Sequence, residues 1–148
     1  MLHTLLLSTL SLSIFSLSIV SQQDNSLMHV SYEGDSKAVQ VLVDSGADVN
    51  ARNDVGQTAL MFASYEGHSE TVKVLVKAGA DVNVINILGG TALMFASYNG
   101  NSEAVKVLVD AGAYVNARDE KGQTALVFAS YKGHSEAVQL LRDAGATK

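Results

Sequence analysis

One spacing governs this chain: the same residues return every 33 positions. Tyr32, Tyr65, Tyr98 and Tyr131 share that interval, as do Gly34, Gly67, Gly100 and Gly133, and Gly46, Gly79, Gly112 and Gly145. The triplet Thr58-Ala59-Leu60 comes back as Thr91-Ala92-Leu93 and Thr124-Ala125-Leu126. A fixed period of this length describes supersecondary units stacked in a row. One unit cannot bury its own apolar face, so each depends on its neighbours.

Each unit divides into two short helices. The first is expected over Thr58 to Tyr65, with the Thr58 hydroxyl capping an orphan backbone N–H. Leu60, Phe62 and Ala63 supply its inner side, and Gly67 ends it in a left-handed conformation. A second helix is expected from about Ser69 to Ala78. Glu70 sits in its first turn and Lys77 in its last, matching the helix dipole, and Val72, Leu75 and Val76 form its apolar stripe. Gly79 stops it, and the Asp-, Asn- and Gly-rich stretch Ala80 to Gly89 leads to the next Thr as an extended finger. Four helix pairs follow, over about 25–46, 58–79, 91–112 and 124–145. Three or more units are normally needed for stability, so the array stands near the minimum.

Bulk properties narrow the function. With 148 residues and 47% hydrophobic content the chain can bury a core, which argues against disorder over most of its length. A formal charge of −5 and no run of Lys or Arg exclude the concentrated basic face that phosphates require, so no nucleic-acid partner is expected. Cys is absent, which removes disulfides and thiolate metal sites without indicating a compartment. Pro is absent too, leaving the turns to Gly, Asn and Asp.

Residues 1–21 stand apart from the repeats. They carry no formally charged side chain, and a largely apolar stretch from Leu5 to Val20 precedes Gln22, Gln23 and Asp24. The length fits the hydrophobic region of a secretory signal, with Ser21 small enough to precede a cleavage site. No Lys or Arg precedes the stretch, however, and Ser interrupts it repeatedly from Leu10 to Ser18. A cleaved signal, an uncleaved anchor and a leader with no targeting role therefore stay open. The first implies a secreted or periplasmic protein and the last a cytoplasmic one. Membrane contact is expected only from an uncleaved anchor.

The residues that recur also name a family. The run Gly56-Gln57-Thr58-Ala59-Leu60, then Ala63-Ser64, Gly67-His68, Val72, Val74-Leu75-Val76 and Gly79-Ala80-Asp81-Val82-Asn83 resembles the ankyrin repeat, whose period is 33. The likeness extends over about Asn25 to Lys148. It implies an all-α ankyrin repeat solenoid of stacked helix pairs with short extended β-hairpin-like fingers, in four repeats. These are placed at 22–52, 53–85, 86–118 and 119–148, the outer two as caps. The family usually opens its first helix with Thr-Pro-Leu-His. Here Ala59, Ala92 and Ala125 replace the Pro, and Met61, Met94 and Val127 replace the His. The end units depart further, and these changes read as capping. Asn25 stands for the helix-starting Thr and His29 for Phe62, while Arg142 replaces the Val76 and Val109 equivalent and Lys148 ends the chain.

No constellation for chemistry emerges. His68 and His134 each precede Ser-Glu, but they occupy one repeat position, which Asp35 and Asn101 fill elsewhere. All these residue types cap helices or bond to backbone there, so no closed metal-ligand set is implied. Asp48 and Asp81 lie in fingers, and Asp119-Glu120 reads as a solvated turn. The stretch Asp44 to Gly56 lacks the ligand spacing of a calcium loop, and no phosphate loop or nucleophile elbow is present. The chain is expected to be no enzyme, with no cofactor and no small-molecule substrate.

The resemblance places binding on a concave face of fingertips and first helices. The partner is expected to be an unidentified protein, bound by a monomeric array. A structural role, in which the array self-associates or docks in a larger complex, is the alternative. Candidate contacts are the ladder Tyr32, Tyr65, Tyr98 and Tyr131, together with Arg52, Arg118 and Lys121 on the fingers. Tyr serves hot spots and packing equally, so the ladder reads either way. The middle finger is more distinctive: Ile85, Ile87 and Leu88 stand where the others carry Arg52, Asp54 and Val55, or Arg118, Glu120 and Lys121. Drift in a tolerant loop or contact with the adjoining finger would explain them too. An exposed apolar patch on a polar finger marks an interaction site, so Tyr65, Tyr98, Ile85, Ile87 and Leu88 are expected at its centre.

Overall fold

The computed structural model describes residues 22–147, so the leader over 1–21 and Lys148 lie outside the described residues. Helix α1 covers residues 22–33, followed by α2 (Ser36–Asp44), α3 (Ala59–Glu66), α4 (Ser69–Lys77), α5 (Ala92–Tyr98), α6 (Ser102–Asp110), α7 (Ala125–Tyr131) and α8 (Ser135–Asp143). No strand forms among the described residues. Each first helix packs on the first helix of the next unit, α3 on α5 and α5 on α7. The second helices do likewise, α2 on α4, α4 on α6 and α6 on α8. Two layers of helices thus run along one axis, with the core between them.

Local chemistry sets the ends of these helices. Thr58, Thr91 and Thr124 are extended, and their hydroxyls accept from the N–H of Met61, Met94 and Val127 at 3.3–3.4 Å. Gly67 closes α3 at φ +79, a conformation that L side chains rarely adopt. Burial follows the repeat. Leu60, Leu93 and Leu126 fill the inner layer, and Leu75, Leu108 and Leu141 the second.

Ser31, Ser64 and Ser97 are fully buried one place before the tyrosines, and their hydroxyls find no hydrogen-bond partner. A buried unpaired hydroxyl is costly, so Ser64→Ala should stabilise the fold by about 1 kcal/mol. Urea titration measures this. A destabilised variant would mean that the hydroxyl has a partner after all.

Neighbouring units are also stitched by side chains. Asn50, Asn83 and Asn116 each donate to the glycine carbonyl ending the next second helix, at 3.2–3.3 Å, and accept the N–H of Asp81, Tyr114 and Thr147. His68 Nε2 lies 2.9 Å from the Tyr32 carbonyl and His134 Nε2 lies 3.0 Å from that of Tyr98. A carbonyl only accepts, so these ring nitrogens donate. Asn101 donates to the Tyr65 carbonyl in the same way. Backbone bonding is thus the role of this position, reaching across to the preceding repeat.

The first unit differs where sequence reasoning misjudged it. Asn25 does not start a helix, because α1 is already helical at residue 22 and Asn25 is exposed within it. The longer helix brings Asp24 to the Asp48 N–H at 2.9 Å, standing in for the Asn of a preceding finger. His29 is exposed, with Nε2 3.5 Å from Glu33 Oε1. Asp35 caps the Ala38 N–H at 3.0 Å, whereas His68, Asn101 and His134 make no such cap. A carboxylate there can only accept, so it cannot bond a tyrosine carbonyl of a unit stacked in front.

Candidate binding face

The fingers are tight turns held from inside. Asn53, Asn86 and Asp119 each accept two backbone N–H groups through Oδ1, those of Val55 and Gln57, Leu88 and Gly90, and Lys121 and Gln123. One backbone bond joins each finger to the next, Ile87 N–H to Val55 O at 3.1 Å and Glu120 N–H to Leu88 O at 3.0 Å. Single bonds do not make a ladder, which is why the hairpin-like fingers stop short of being strands.

The tyrosine ladder packs and faces solvent together. Tyr32, Tyr65 and Tyr98 set their rings edge-on against Phe62, Phe95 and Phe128 of the following unit, with centroids 6.4, 6.3 and 6.0 Å apart. They remain 50, 44 and 37% exposed, while Tyr131, with no ring following it among the described residues, is 86% exposed. Lys132 places Nζ 4.5 Å from the Tyr98 ring centroid.

Between the rings and the middle finger lies an apolar groove of about 320 Å³. Tyr65, Phe95, Tyr98 and Phe128 wall it on the helix side, Met94 contributes beneath, and Leu88, Asn86, Gly90 and Asp119 close the finger side. A second groove, of about 220 Å³, lies one unit earlier between Tyr32, Phe62, Tyr65, Phe95 and Gln57. Gly90 lines the larger groove where Gln57 lines the smaller. Gln57 and Gln123 hold that place in the neighbouring units, whereas a Cβ on Gly90 would already come within 3.3 Å of Phe95 Cζ.

Of the expected contacts, Tyr65, Tyr98 and Leu88 meet in this groove, and Tyr32 joins Tyr65 in the smaller one. Ile85 and Ile87 are 53 and 58% exposed on the same finger but do not line the groove. Arg52 and Arg118 turn back on the fingers, donating to Ile85 O at 2.7 Å and Gly122 O at 2.8 Å. Lys121 is exposed at the third fingertip. Gly90, a fingertip position expected on this face, lines the groove, whereas Phe95, Phe128 and Met94 were not among the expected contacts. Aligning the repeats exposes Gly90 as the one Gly in a Gln column, a signal available from the sequence.

Among the described residues no group of three or more His, Cys, Asp or Glu could hold a metal ion, and no helix is long and apolar enough to cross a membrane. The search of curated proteins returns no match. A family model described as ankyrin repeats in three copies matches residues 6–86 and again residues 78–148. Ankyrin repeats are generally protein-interaction modules and are typically non-catalytic. Period, stacked helix pairs and family match agree: the chain belongs to the ankyrin repeat family.

Proposed function

We propose that this chain binds a segment of another protein on the face made by its fingers and first helices, the concave face of the array, without catalysing a reaction. The observation that carries the reading is the apolar groove beside Tyr65, Tyr98 and Leu88. It combines amphipathic rings with an exposed apolar finger, the composition of an interface centre. Ile85 and Ile87 extend the contact along the fingertip, and Tyr32 continues it toward the first unit. Arg52, Arg118, Lys121 and Tyr131 form its rim.

Peptides selected on the full chain from a random display library provide the test. The double change Ile87→Ser and Leu88→Ser should weaken the selected peptides by more than about ten-fold, since two exposed apolar contacts are lost. The thermal midpoint should stay, because neither side chain belongs to the core. Unchanged affinity for every selected peptide would move the binding site elsewhere.

A further inference from the structure

We infer that the partner segment on this face is charge-segregated: basic toward the first unit, apolar at the groove and acidic toward the last unit. The inference rests on the binding reading above and adds the partner's chemistry and orientation. It comes from the residue following each ladder tyrosine, which is Glu33, Glu66, Asn99 and Lys132, all exposed. Geometry ties this row to the groove. Lys132 Nζ sits over the Tyr98 ring, and Asn99 Nδ2 donates to the Tyr65 carbonyl at 2.8 Å. By the 33-residue repeat, Glu66 follows Tyr65 as Asn99 follows Tyr98 and Lys132 follows Tyr131.

The row therefore runs negative, negative, neutral, positive along the array, with the apolar groove where the sign changes. The fingertip row leaves the gradient to the helix row: Arg52 and Asp54 balance on the first finger, as Glu120 and Lys121 do on the third, with Ile87 and Leu88 between them. Arg52, held on Ile85 O, and Asp119, with Oδ1 shared by two backbone N–H groups, are fixed in place and keep their charges. Complementary charges of this kind fix orientation and suppress the reversed arrangement, more than they add affinity.

The probe is a synthetic peptide with lysines at one end, leucine and phenylalanine in the middle and glutamates at the other end. A nitroxide is attached at its acidic end. A control peptide has the same composition with its charges intermixed. Titrated at low salt into the isotopically labelled full chain, the segregated peptide should bind about ten-fold more tightly than the control, an advantage that shrinks with salt. The nitroxide should broaden the amides around Lys121 and Lys132, and Glu66→Lys with Lys132→Glu should move the broadening toward position 66. Equal affinities, or broadening around Glu33 and Glu66 in the unaltered chain, overturn the inference. Shifts at Tyr65, Leu88 and Tyr98 would in that case still uphold the binding reading. If neither peptide shifts those residues, the inference fails, and the display selection above decides the binding reading independently.

Discussion

Gly90→Gln is expected to reduce binding on the finger face by about ten-fold or more while leaving the fold intact, the size of effect that filling a hot-spot pocket produces. The substitution gives the middle unit what its neighbours already have, since Gln57 and Gln123 occupy the same position on equivalent backbone. Gly90 is not among the glycines with positive φ, so a side chain meets no backbone strain. A Cβ would come within 3.2 Å of Asn86 Oδ1 and 3.3 Å of Phe95 Cζ, so those side chains must give by a few tenths of an ångström. The Gln would narrow the groove that Tyr65, Tyr98 and Leu88 share, as Gln57, its Oε1 accepting from Asn53 Nδ2 at 3.0 Å, lines the smaller groove one unit earlier. Stability should hold or rise slightly, because the unfolded chain loses freedom when Gly is replaced. Affinity for the display-selected peptides and a thermal melt read the two effects separately. Full affinity with the groove narrowed would show that the groove is not the contact.

Leu93→Ala is expected to cost about 2–5 kcal/mol, a large share of the 5–15 kcal/mol typical of a folded domain. Leu93 is 1% exposed and lies on α5, the helix packed between α3 and α7. Each unit of the array draws its stability from neighbouring units. A cavity at this junction weakens both interfaces of the third unit, leaving only two units on one side, fewer than the three or so that repeat arrays need. Urea unfolding should show a lower midpoint and a broadened or two-step transition. Leu141→Ala, at the far end in α8, should lose one interface and keep a single transition. Equal profiles for the two variants would mean that the array unfolds as one block.

The fold was legible because its determinants are local and repeated. Thr58, Gly67 and the Val72-to-Val76 stripe each specify a helix end or face within a few residues, and the period multiplies the signal. The first unit was misread at Asn25 because nothing stacks before it among the described residues. A capping helix is then set by what it must cover, such as the Asp48 N–H taken by Asp24, and not by the consensus. The candidate site was legible in part. Ile87 and Leu88 stand out against polar neighbours in the aligned fingers, whereas Arg52 and Arg118 looked available only until their guanidinium groups were seen on finger carbonyls.

By itself the sequence determined the family, the helix pairs, the buried leucines and the acidic-to-basic order of the residues after the tyrosines. All of these depend on residue identity and spacing alone. Only the tertiary structure decided that Tyr32, Tyr65 and Tyr98 pack on the phenylalanine of the next unit and still face solvent. It alone decided, too, that Gly90 lines an apolar groove beside Tyr65 and Tyr98. The physical reason is that these features belong to the junction between units. A ring's exposure and a groove's volume depend on atoms 30 or more residues away, placed there by stacking.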